Sequence, residues 1–198
     1  MGRGFELLVT RQNVIFLRTS LLMNQANTRL LLCVGTLCAS FSKLELFLPM
    51  YCAHLVTEDG NIGAIVTSEV SFRNLLAMYR SLIYYKTDDT ELRNEADKLI
   101  KKLGECESIR NETLHCNLMV DGSHPHSERL FRHKVTAKLR KGLENKIEEY
   151  SFKKIEENIQ VIEKTFQSLL DYQGKLRERK IAPFHKIGLK VETPWRKT

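Results

Sequence analysis

The chain is short of the residues that make linkers. Four prolines and 10 glycines in 198 residues leave little room for long flexible connections, so one domain with at most an appendage is expected. Cysteine is present without a pairing pattern. Cys33, Cys38, Cys52, Cys106 and Cys116 are odd in number and none forms a C-x-x-C pair, which speaks for reduced, buried thiols in a cytoplasmic protein. Internal repeats and low-complexity segments are missing too. The apolar run "LLLCVGTLCASF" from Leu30 is cut by Lys43 and Glu45 after about a dozen residues, against the roughly 18 needed to cross a bilayer, and it begins too far into the chain for an ordinary signal. It reads as a buried core helix, and no membrane association is expected.

What is present is ordinary in bulk and uneven in place. Hydrophobic content of 42% and charged content of 28% suit a soluble globular protein. The net charge of +7 is concentrated at one end: from Gly174 onward eight Lys/Arg face two acids, a local +6. Such a segment either meets a polyanion, most simply nucleic acid, or is a solvated charge run.

Periodicity divides the chain into a region 1–26, read as an arm or short helix, a helical domain 27–173, and a basic tail 174–198. A long helix is expected from Asn27, as N-cap, to Val56, with Pro49 kinking it or marking its last turns. "TEDGNIG", 57–63, reads as a loop. A second helix follows Ser71 and places Phe72, Leu75, Leu76, Tyr79, Leu82 and Ile83 on one face. The third begins at "TDDTELRNEADKL", capped by Asp88 or Asp89. Its inward seam runs Leu92, Ala96, Leu99, Leu103, Cys106, Arg110, Thr113, so an arginine lies where apolar residues lie earlier. "CNLMVDGSHPHSE" after His115 reads as a loop. "FRHKVTAKL" alternates with period two and predicts a small basic hairpin carrying Lys134, Lys138 and Arg140. The last helix, capped by Ser151, carries Phe152, Ile155, Ile159, Ile162, Phe166, Leu169 and Gln173 at heptad spacing. The expected class is all-α: a four- to five-helix bundle with a small β-hairpin before the last helix.

The stretch "RNETLH", Arg110 to His115, is the candidate site. An imidazole with a pKa of about 6.5 suits removal of the proton from a ribose 2′-hydroxyl. A guanidinium can hold the developing phosphorane charge through two parallel hydrogen bonds, with no metal or cofactor called for. Asn111 could orient the phosphate or the imidazole. On an unbroken helix Arg110 and His115 would be turned about 140° from one another, so they converge only if the helix ends near His115 or the site is shared with a second chain. The alternative is a capped helix end, with cation and imidazole complementing the dipole. Cys106, His115, Cys116, His124, His126 and His133 supply soft metal ligands, but no pair among them has the spacing of a closed zinc site.

Arg110, Asn111 and His115, late in a long helix of an all-α bundle, resemble the signature of the HEPN superfamily, an arginine followed after four to six residues by histidine. The order of helices over about residues 27–175 is similar as well. The resemblance implies a metal-independent endoribonuclease of toxin or antiphage type, acting on RNA as a homodimer, and in toxin members a neutralising antitoxin protein. It further implies an acidic residue on an earlier helix, for which Glu45 in "FSKLE" is the match and Lys43 a weaker one. The basic hairpin departs from a minimal member. Lys134, Lys138 and Arg140 with Lys175, Arg177 and Arg179 are the expected substrate-binding cations. The rival readings are a non-catalytic module of similar fold that binds nucleotide or protein, and a structural bundle that dimerises through its last helix.

Overall fold

A computed structural model describes the backbone of residues 11–121, 129–138 and 142–181, and the side chains of 25–121, 129–135 and 145–181. The class is mostly α: helices α1 (Arg11–Val56), α2 (Gly60–Ser68), α3 (Phe72–Lys86), α4 (Thr90–Leu114) and α5 (Phe152–Glu178), with strands β1 (Asn117–Val120), β2 (Arg129–Lys138) and β3 (Gly142–Ser151) between α4 and α5. The described residues fall into two compact units: 11–41 with 108–163, and 42–107 with 164–181.

α1 buries Leu37, Phe41, Leu44, Leu48 and Leu55, a spacing of three, four and seven that keeps one face inward along the helix. Asn27 is not its cap. The helix runs through that position from Arg11, since an interior asparagine costs only a few tenths of a kcal/mol, about 0.7 at most. Pro49 lies inside, two turns before the end at Val56. By length and composition alone, Gln25–Val56 could span a bilayer.

The expected loop at 57–63 is largely helix. Asp59 accepts from the backbone N–H groups of Asn61 and Ile62 at 2.9 and 3.3 Å, and this cap starts α2 in spite of its glycines. Gly63 is required there. A Cβ on it would lie 2.8 Å from the Ala53 Cβ and 2.9 Å from the Ala53 carbonyl oxygen. α3 begins where expected, with Ser71 accepting from Asn74, and Leu75, Leu76, Tyr79 and Ile83 are buried on its inner face.

The segment between α4 and α5 differs from expectation in one respect. The hairpin forms, β2 pairing antiparallel with β3 from Arg129↔Ser151 to Lys138↔Gly142. β1 then adds a third strand, pairing from Asn117↔His133 to Val120↔Leu130, where the sequence read as a loop. Leu130, on the inner face, is fully buried. Ser151 caps α5, accepting from the Lys154 N–H at 3.2 Å.

Candidate functional site

α4 reaches the motif with its seam intact. Asp89 accepts from the N–H groups of Glu91 and Leu92 at 2.9 and 3.1 Å, and Leu92, Ala96, Leu99, Leu103 and Cys106 are buried in turn. Arg110 comes next on the seam and is half-buried, followed by buried Thr113. The Arg110 guanidinium carbon lies 5.3 Å from the centre of the Phe41 ring, a cation–π distance. Its Nη1 donates to Asn111 Oδ1 at 2.7 Å. The motif's first two residues therefore form one polar unit resting on an aromatic face.

α4 ends at Leu114, and His115 stands exposed in the turn that leads to β1. Its backbone N–H donates to the Asn111 carbonyl at 3.1 Å, so the last helical turn is complete just before the chain leaves the helix axis. α4 thus ends one residue before His115, where the sequence pattern placed its end.

Around the motif lies a network that the sequence did not disclose. Arg132 on β2 donates to Glu112 at 3.2 Å and to Glu148 across the ladder, and its guanidinium lies 5.3 Å from the Tyr150 ring centre. Its Nε is buried and has no partner among the described residues. Lys146 also pairs with Glu148, and Lys146 and Arg132 together pull the Glu148 carboxyl down to about 2. The Tyr150 hydroxyl accepts from Asn158 at 3.0 Å, and burial pushes its pKa up. Cys116 donates to the Thr113 carbonyl at 3.2 Å, with its thiol pKa raised chiefly by burial. Arg132 and Glu148 are direct cross-strand partners, so the hairpin register was the signal that could have found them.

The remaining expected site residues are scattered. Glu45 and Lys43 are exposed on α1, in the second unit, where Lys43 lies 5.9 Å from the Phe166 ring centre. Lys134 is half-buried on β2 opposite Lys146, and Lys138 ends that strand opposite Gly142. Arg140 lies outside the described residues. Lys175 is held by both oxygens of Glu95 at 2.7 and 2.8 Å, and Arg179 pairs with Asp89. Arg177 is exposed on α5. An open groove of about 220 Å³ between α4 and α5 is lined by Lys98, Lys102, Asp171 and Lys175 among others, so its charge is mixed. Among the described residues no three His, Cys, Asp or Glu side chains come together in a metal-binding group.

Searches of family models, of curated proteins and of solved structures find no match to this chain.

Proposed function

We propose that the chain is a HEPN-type, metal-independent endoribonuclease whose site is Arg110, Asn111 and His115. The observation that carries this reading is the placement of Arg110. It is half-buried on an apolar seam, bonded to Asn111 and resting on Phe41, with exposed His115 at the helix exit. In the proposed reaction the His115 imidazole removes the 2′-hydroxyl proton, and the oxygen attacks the adjacent phosphorus. The bond to the 5′-oxygen breaks, that oxygen takes up a proton, and a 2′,3′-cyclic phosphate remains. Arg110 holds the charge on the phosphorane oxygens, while Asn111 fixes the guanidinium through the 2.7 Å bond. The expected setting is a toxin or antiphage effector acting on RNA in the cytoplasm, as a homodimer, with an antitoxin as a further partner.

Purified protein with His115→Ala or Arg110→Ala should cleave RNA about 10²-fold or more slowly, since removal of one acid–base group or of one transition-state charge stabiliser costs that much, with the melting temperature nearly unchanged. Undiminished cleavage by the His115→Ala protein would end this reading. A second reading, a non-catalytic module that binds another protein, is favoured by one observation: Leu31 and Leu32 on α1 are 74% and 66% exposed.

A further inference from the structure

The three-stranded sheet has one long edge. Its order is β1-β2-β3, so among the described residues no strand lies beyond β3, which presents ten residues of backbone. The opposite edge, β1, has four. Soluble proteins normally blunt a long edge with proline, a bulge, or charges that repel an incoming strand. β3 contains no proline, and its ladder with β2 is unbroken over all ten residues. Its charges are the remaining safeguard, and their order does not repel a second copy of the same strand.

Consider "NKIEE", Asn145 to Glu149, laid antiparallel against itself. With the two-fold axis on Ile147, isoleucine meets isoleucine, each Lys146 meets a Glu148, and each Asn145 meets a Glu149. Moving the axis one residue toward the C-terminus sets Glu148 against Glu148. One residue the other way sets Lys146 against Lys146. Like charges directly opposite destabilise a strand pair and unlike charges stabilise it, so the registers centred on Lys146 and Glu148 are disfavoured; of the two that set lysine against glutamate, centred on Ile147 and on Asn145, the first alone puts Ile147 against its own copy. Residues facing one another across such an axis also point to the same side of the sheet, as pairing demands.

The side chains at the centre are ready for this. Ile147 is 63% exposed, and the Lys146 side chain is 65% exposed although it already touches Glu148 of its own strand. Val135, its diagonal neighbour on the outer face of β2, is 53% exposed, so pairing would add a second copy of this small apolar patch beside the first.

We infer that β3 is a homodimer edge, joining two copies of the chain into one six-stranded antiparallel sheet centred on Ile147. A two-fold contact of this kind is closed, with the same patch used on both sides. The homodimer itself belongs to the ribonuclease reading above; what is added is its interface, which does not depend on whether the chain cleaves RNA.

The experiment uses the full chain without RNA, so its outcome is separate from that of the cleavage test. Light scattering across a dilution series should give twice the 23.0 kDa chain mass at the concentrated end. Lys146→Glu places four carboxylates around the axis and should weaken the dimer about 10-fold or more, because both copies of the pair change sign. In Ile147→Cys the two α-carbons would sit about 4.5–5.5 Å apart, inside the range of about 4.4–6.8 Å that a disulfide bridges. Mild oxidation should then link the introduced thiols, identified as a 147–147 peptide by mass spectrometry. Circular dichroism on both variants checks that these exposed substitutions leave the fold intact. A wild-type chain monomeric throughout the series overturns the inference. So does a dimer that gives no 147–147 peptide and is indifferent to Lys146→Glu, since its interface then lies elsewhere.

Discussion

α4 and α5 are similar in length, 25 and 27 residues, and both set polar residues on an otherwise apolar seam. They do so differently. On α5, Asn158, Thr165 and Gln173 are buried and bond to other elements of the fold: Asn158 to the Tyr150 hydroxyl, Thr165 to Cys106, Gln173 to the Tyr79 hydroxyl. On α4, Arg110 is only half-buried, and its Nη1 bond goes to Asn111, the next residue along the same helix. A polar residue on a seam is thus explained by where it reaches. Buried hydrogen bonds across the fold are structural cement, whereas Arg110 reaches α1 through a half-buried cation–π contact on Phe41, worth about 0.5–1 kcal/mol where the cation keeps contact with water.

The comparison breaks most visibly under matched substitutions. Gln173→Leu deprives the Tyr79 hydroxyl, on a side chain with 0% exposure, of its bond and should cost about 1–3 kcal/mol, read by denaturant unfolding. Arg110→Leu should cost clearly less than that while abolishing the proposed RNA cleavage. If Arg110→Leu is as destabilising as Gln173→Leu, the two seams are alike and Arg110 is cement too.

Acid sharpens it next. The Glu148 carboxyl is held down to about 2 by Lys146 and then Arg132, so its folded pKa lies below the unfolded value of about 4.3. Its stabilising contribution is complete above that unfolded value and is lost as pH falls toward about 2. Protection of the β2 and β3 amides against hydrogen exchange, taken relative to the intrinsic rate at each pH, should therefore fall over that window, while the amide and hydroxyl bonds of the α5 seam carry no such dependence. An equal loss of protection in both regions would show that Glu148 does not govern the sheet.

The smallest effect concerns glycines on the same two helices. A Cβ on Gly174 of α5 meets nothing within 4 Å, and one on Gly104 of α4 meets only the Leu76 Cδ1 at 3.9 Å. Each Gly→Ala change should raise stability by about 0.5–1 kcal/mol, because alanine loses less freedom on entering a helix. Equal gains would show the two helices to be alike except on their seams.

Much of the fold was written locally. Ser71, Asp89 and Ser151 announce three helix starts through their side chains, and the α4 seam follows from spacing alone, Arg110 included. What failed was decided at a distance. Gly63 resembled a loop residue, yet it is there because α2 comes too close to Ala53 for any side chain. β1 is four residues long and exists through its pairing with β2, which no local pattern discloses. Within the candidate site, Arg110, Asn111 and the helix end before His115 were legible. Arg132 was not, because its acids come from α4 and β3 and only the strand register joins them.

That register also limits how this segment can change in length over time. Leu130 is fully buried, and the residues facing inward with it, Arg132 and Lys134, alternate with Phe131, His133 and Val135 on the outer face. One residue inserted in β2 would turn one stretch of the strand over, exposing leucine or burying its neighbours, because the side-chain period is two. Relatives of this chain that have diverged by insertion or deletion should therefore carry hairpins longer or shorter by pairs of residues in each strand, while the helices drift by whole turns.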